Sequence, residues 1–268
     1  MESLSNRLHY IFRIACAMCF IGHGAFGIIT KQIWCNYFAV FGIGEATAYQ
    51  LMPVVGIVDI VMGLVLLVYP IRAAAGWLVF WGLFTASLRP LSGEPFAEFL
   101  ERAGNWGAPL ILLMLSGPIG PGIRSWFKKM EPGTSLSEKQ LHSIELWLKI
   151  IACTLLVGHG WLNLIEKKGL INQYTSLGFH APVLTAHIIG FIEVAGGLSL
   201  LIRPLKYVVL VLFVWKMTSE LFYPAWELFE WVERGGSYAA LLGLFVVLHY
   251  KSHAVKLVPG GSINVGML

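Results

Sequence analysis

Long apolar runs alternate with short polar breaks along the whole chain. Eight runs stand out, at approximately 10–29, 51–69, 72–89, 104–120, 143–164, 183–202, 205–223 and 236–250, the fourth and eighth being short. At about 1.5 Å of rise per residue such runs are matched to a hydrocarbon core. Their polar positions recur with a helical rather than an alternating period, which predicts helices and argues against an outer-membrane barrel. The expected fold is an all-α integral membrane protein with eight transmembrane helices and no separate soluble domain.

The last four runs restate the first four. Ile21-Gly22-His23-Gly24 is answered by Val157-Gly158-His159-Gly160, and Gly56-x-x-Asp59-x-x-x-Gly63 by Gly190-x-x-Glu193-x-x-x-Gly197. The offset is 136 residues at the histidines, 134 at the carboxylates and at Pro70 and Pro204, and 132 at Glu101-Arg102 and Glu233-Arg234. Small deletions between helices account for the drift. Because each copy supplies an even number of spans, the second re-enters with the orientation of the first, and two parallel four-helix repeats are expected. The boundaries read as a first membrane repeat over 1–120, a polar linker over 121–142, a second repeat over 143–250 and a tail over 251–268.

Composition agrees with this pattern. Hydrophobic residues make up 57% and charged residues 13% of the chain, with ten Trp, and the mean hydropathy is +0.71. A soluble domain carries nearer about 25% charged residues. Lys and Arg outside the spans concentrate on the side of both termini and the linker, including Arg7, Arg72, Arg203, Lys206, Lys251 and Lys256. The positive-inside rule then places both termini in the cytoplasm. Glu94, Glu98, Glu101, Glu227, Glu230 and Glu233 fall on the opposite side, which makes the outer face mildly acidic. The net charge of +4 reflects topology, since no basic stripe interleaved with aromatics suggests nucleic acid as a partner. The first run is read as a retained helix rather than a signal peptide, because its copy at 143–164 lies far from the N-terminus.

Ionisable side chains at membrane depth are costly unless paired or facing a cavity, so each is a functional candidate. Asp59 and Glu193 lie near the middle of their spans, with glycines at i−3 and i+4 that put Gly, carboxylate and Gly on one helical face. His23 and Asp59 sit about six and about eight residues from the outer ends of their spans, or roughly 9 and 12 Å deep. His23 is therefore expected to meet Asp59, and His159 to meet Glu193. Two readings stand side by side: a buried clasp that pins a helical hairpin, or a proton-handling site built on the side chain that titrates nearest neutrality, suited to quinone chemistry or proton-coupled transport.

The copies diverge in the seventh span, where Lys216 and Glu220 are four apart while the third span has Gly82 and Ala86. That spacing predicts an intramembrane ion pair or a ligand contact, beside the matched Trp215 and Trp81. His187 adds to this cluster from the outer turn of the sixth span, where a lone histidine reads more simply as an interfacial or satisfied residue than as a ligand. Arg89-Pro90 is answered by Tyr223-Pro224, and proline predicts the end of the helix in both halves. Arg89 is a candidate for an anionic substrate or lipid head group. The segments Phe96 to Ala103 and Trp226 to Arg234, with Phe99, Leu100, Phe229 and Trp231, read as interfacial aromatic belts.

Cys16-Ala-Met-Cys19 has the spacing of a redox dithiol, but it lies inside the first span and its copy has Ala152 and Leu155. Packing of small, soft side chains is the simpler account, and Cys35 and Cys153 suggest no disulfide framework. No metal motif, Walker sequence or Rossmann fingerprint is present.

A four-helix unit with Gly-His-Gly in its first span, Gly-x-x-[Asp/Glu]-x-x-x-Gly in a second span ending at a proline, and apolar third and fourth spans resembles the DoxX/DoxD-like membrane proteins. The resemblance covers nearly the whole chain, once per repeat, whereas that family is typically a single unit of about half this length. It implies a bacterial inner-membrane protein and, through DoxD, a subunit of a quinone-linked oxidation of sulfur compounds with a membrane or peripheral redox partner. Only His23, Asp59, His159 and Glu193 carry across by position. A non-catalytic accessory subunit or a small-molecule carrier remains the alternative.

Overall fold

The computed structural model describes residues 3–133, 135–221 and 228–254. Tyr223, Pro224, Trp226, Glu227 and Lys256, named above, lie outside the described residues. The order of elements is α1 (Leu4–Ile28), α2 (Trp34–Ala39), α3 (Glu45–Val68), α4 (Arg72–Leu91), α5 (Phe96–Glu101), α6 (Ala103–Leu115), a 3-10 turn (Ile123–Phe127), α7 (Glu138–Leu164), α8 (Lys168–Ser176), α9 (Pro182–Ile202), α10 (Lys206–Leu221), α11 (Leu228–Glu233) and α12 (Gly235–Ala254). Among the described residues there is no strand, only a single bridge between Ile71 and Lys129. Four helices, α1, α3, α7 and α9, are long and apolar enough to cross a membrane.

Local chemistry moves several boundaries from where hydropathy alone put them. The Ser3 hydroxyl accepts from Asn6 N at 3.2 Å and starts α1 at Leu4. A capping box between Ser137 and Gln140 starts α7 at Glu138, inside the stretch expected to be linker. Helix α6 stops at Leu115 rather than 120, because the chain turns at Gly117 with φ 70. Pro90 does not end α4: it sits in the last turn, where its missing N–H costs one bond, and the helix closes at Leu91 before Gly93 with φ 96.

Glycine decides which helices touch. A Cβ on Gly24 would lie 2.5 Å from Gly56 O, and one on Gly160 would lie 2.7 Å from Gly190 O. Only bare backbone lets α1 and α3, and likewise α7 and α9, approach this closely. The largest core cluster lies between the two halves of the chain, with Leu8, Phe12, Ile111, Leu148, Leu155 and Leu241 fully or almost fully buried.

The short helices change partners. Helix α5 packs on α7 and α11 packs on α1. Gly22 faces the backbone of Glu233, Gly158 faces that of Glu101, and Gly104 meets Gly236 between them. The expectation of surface belts at Phe96–Ala103 and Trp226–Arg234 is therefore corrected for the described residues: Phe96 and Phe229 are exposed, but Ala97, Glu98, Glu101, Glu230 and Glu233 are buried. These carboxylates are turned inward because cations wait for them there.

Candidate functional site

The two histidines stand on equivalent turns of α1 and α7, and α3 and α9 bring the carboxylates to them. His23 Nδ1 lies 2.6 Å from Asp59 Oδ2, and His159 Nδ1 lies 2.6 Å from Glu193 Oε2. An ionised carboxylate at Nδ1 requires the proton there, which leaves Nε2 of a neutral ring as an acceptor. Asp59 and Glu193 are both fully buried. Beyond this shared core the surroundings differ.

In the second half both carboxylate oxygens of Glu193 are hydrogen-bonded, and Lys216, Glu220 and Arg234 are held by ion pairing. Trp215 Nε1 donates to Glu193 Oε1 at 2.9 Å, and the Tyr174 hydroxyl donates to Asn163 Oδ1 at 2.7 Å beside His159. His159 Nε2 is 3.9 Å from Glu220 Oε1, Glu220 pairs with Lys216, and Arg234 Nε is 3.7 Å from Glu220 Oε2. The Lys216 and Glu220 pair expected from their spacing is thus present, and it belongs to the histidine site. His187 does not join it: its side chain is 43% exposed and lies 3.2 Å from Glu166, in the turn between α7 and α8. Glu101, His159 and Glu220 bring one ligand atom each within 4.8 Å of one another, a spacing that no sequence motif announces. Arg234 and Lys216 occupy the same cluster, so its carboxylates already have cationic partners.

In the first half the network is incomplete. Asp59 Oδ1 and Trp81 Nε1, the counterparts of the bonded Glu193 and Trp215 atoms, are buried without a hydrogen-bond partner. Asp59 is one methylene shorter than Glu193, and the Lys216 and Glu220 positions are Gly82 and Ala86. A cavity of about 160 Å³ opens instead. His23, Trp34, Tyr37, Phe84, Ala86 and Arg89 are among its walls. The His23 ring is 16% exposed and rests on Trp34 with centroids 4.7 Å apart, and among the described residues no hydrogen bond reaches its Nε2.

Charge at the cavity rim is balanced in pairs. Arg89 donates to Glu94 Oε2 at 2.9 Å and to Glu98 Oε2 at 3.1 Å, Lys31 pairs with Glu230, and the Tyr37 hydroxyl donates to Glu94 Oε1 at 2.6 Å. Arg89 is thus held by two carboxylates. The site needs both halves of the chain: Glu230 and Glu233 line the cavity from α11.

Between the two sites lies a reciprocal ionic joint. Arg102 Nη1 donates to both oxygens of Glu233 at 2.9 Å, and Arg234 Nη1 donates to Glu101 Oε1 at 2.7 Å. Burial opposes ionisation of Glu101, but Arg234 and Arg102 hold its carboxyl well below the ordinary range. Burial likewise opposes ionisation of Glu233, which Arg102 and Arg234 hold down to about 2. Cys16 and Cys19 are buried free thiols in the packed face of α1.

The sequence reading singled out the histidines and their carboxylates but passed over Glu101, Arg102, Glu233 and Arg234 as joint residues, and Trp34 and Asn163 as neighbours of the rings. The duplicated Glu-Arg dipeptide was the available signal. No protein-family model matches the chain, and neither the curated proteins nor the solved structures contain a match to it.

Proposed function

We propose that the chain is a multi-pass membrane protein whose first half binds a neutral, planar, lipophilic small molecule of the quinone class, with His23 and Asp59 exchanging protons with it. The observation that carries this reading is the open, aromatic-walled cavity on the free side of the His23 ring, next to a buried Asp59 oxygen that lacks a partner. Paired charge at the rim suits a neutral ligand better than an anion, since an anion would have to displace Glu94 or Glu98 from Arg89. Held by Asp59 at Nδ1, His23 has Nε2 available to accept or return a proton, and Trp34 fixes the plane of the ring. The bound molecule would supply the redox chemistry, and the chain contributes position and proton transfer.

Within this proposal the eight apolar runs are eight spans arranged as two parallel four-helix repeats, in a bacterial inner membrane with both termini cytoplasmic. The duplicated motifs and the distribution of Lys and Arg support that arrangement. A redox partner protein, membrane-bound or peripheral, would receive or supply the electrons, as the DoxX/DoxD resemblance suggests.

A second reading is an accessory subunit in which both pairs are clasps. The Glu193 carboxylate, bonded at both oxygens, favours it for the second half. Native mass spectrometry of the protein extracted gently from its own membranes tests the two. A retained quinone, lost in Asp59→Asn but kept in Glu193→Gln, supports the ligand site. Stoichiometric partner subunits with no small-molecule mass support the accessory role.

A further inference from the structure

The segment joining the two halves is built as a foot. After α6 the chain turns through Gly122, with φ 82, into the 3-10 turn and comes back against the start of α4. Met130 N donates to Pro70 O at 2.7 Å, and Arg72 donates from Nη1 to Ser125 O at 3.3 Å and from Nε to Ser116 Oγ at 3.1 Å. The Trp126 ring lies against Gly76, whose added Cβ would be 3.4 Å from it. Gly76 is four residues into α4, roughly 6 Å along its axis. The foot therefore lies beside the first turn of a helix, not beyond its end.

Held there, it turns apolar groups outward. Ile123 is 76%, Phe127 59% and Ile119 55% exposed, with Tyr69 and Trp77 also exposed at the same end of α3 and α4. Arg124 and Lys128 are exposed beside them and make no ion pair among the described residues. In water this surface would strand several large apolar side chains. At a membrane interface the apolar groups enter the acyl boundary while the guanidinium and ammonium groups meet phosphate. We propose that residues 119–128 form an interfacial foot that binds anionic phospholipid in the leaflet at the start of α4. This is independent of the cavity in the first half.

The full-length chain, with Cys35→Ser and either Ile123→Cys or Phe127→Cys carrying a nitroxide label, would be reconstituted into phosphatidylcholine vesicles with or without one third phosphatidylglycerol. In the anionic vesicles the labels should collide with oxygen more than with a water-soluble nickel chelate. Arg124→Gln/Lys128→Gln should move both labels toward water. It should also lower the phosphatidylglycerol preference seen among lipids retained in native mass spectrometry, by roughly fivefold per charge. Labels freely accessible to the chelate in anionic vesicles overturn the foot, and unchanged depth and lipid preference in the double variant overturn its anionic recognition. Single Arg124→Gln and Lys128→Gln proteins are read by the same criteria if the double variant does not insert.

Discussion

The two histidine sites have the same His-to-carboxylate distance, 2.6 Å, and opposite surroundings. Around His159 a longer carboxylate reaches Trp215, and the buried Lys216 and Glu220 of α10 stand beside the ring, with Glu220 Oε1 3.9 Å from His159 Nε2. Around His23 an aspartate stops short, Trp81 Nε1 is left over, and Ala86 stands where Glu220 would be. The length of the carboxylate, the small Gly82 and Ala86, and Trp34 in place of the Asn163 and Tyr174 contacts distinguish the two surroundings. Two helix pairs built on the same Gly-His-Gly and Gly-x-x-carboxylate pattern thus differ in whether the polar atoms around the ring find partners.

The comparison can be broken first at what the two sites share. Glu233→Gln or Glu101→Gln leaves a buried arginine short of its partner and should destabilise the protein by about 3–5 kcal/mol, read as a fall in the midpoint of thermal unfolding in detergent. If both cost less than about 1 kcal/mol, the reciprocal joint is not what holds the halves. Asp59→Asn and Glu193→Gln should then separate the sites. The former should weaken proton-coupled turnover or ligand retention by roughly 100-fold with little loss of stability, whereas the latter should cost about 2–3 kcal/mol and leave ligand retention alone.

Tryptophan offers a finer test. Trp215→Phe removes a donor from a buried carboxylate and should cost about 2 kcal/mol, but Trp81→Phe removes an N–H that bonds nothing and should cost less than about 0.5 kcal/mol for that group. Equal losses would mean that the two indoles are used alike. Acid offers a separate test of the joint. Glu233 ordinarily titrates at 4.5 and is held at about 2 in the fold, so its contribution is fully present above 4.5 and fades as pH falls toward 2. Unfolding midpoints should decline across that window in the parent and decline less in Glu233→Gln.

The pairing of His23 with Asp59 and of His159 with Glu193 was legible because glycines at fixed spacing mark the face of each helix and histidine and carboxylate fall on it. The ion pair of Lys216 with Glu220 was legible from spacing alone. What was not legible was exchange between halves. Glu98, Glu101, Glu230 and Glu233 occur among aromatic residues in a pattern that fits a water-facing belt equally well, and only tertiary contact turns them inward. His187 was misplaced by the same limit, since a position within a turn does not say which neighbour it faces. The cavity left no trace in hydropathy, because it comes from side chains that are absent rather than present.

Helix α5 completes the second half and α11 completes the first, which bears on how such a chain arises and how it can be divided. A cut within residues 128–133 would yield two fragments, each lacking the wedge and the carboxylate that seal its own histidine site. Neither fragment would be a finished protein, and the pair would have to find each other in the bilayer before either site closed. Fusion into one chain removes that search and ties the amount of one half to the amount of the other.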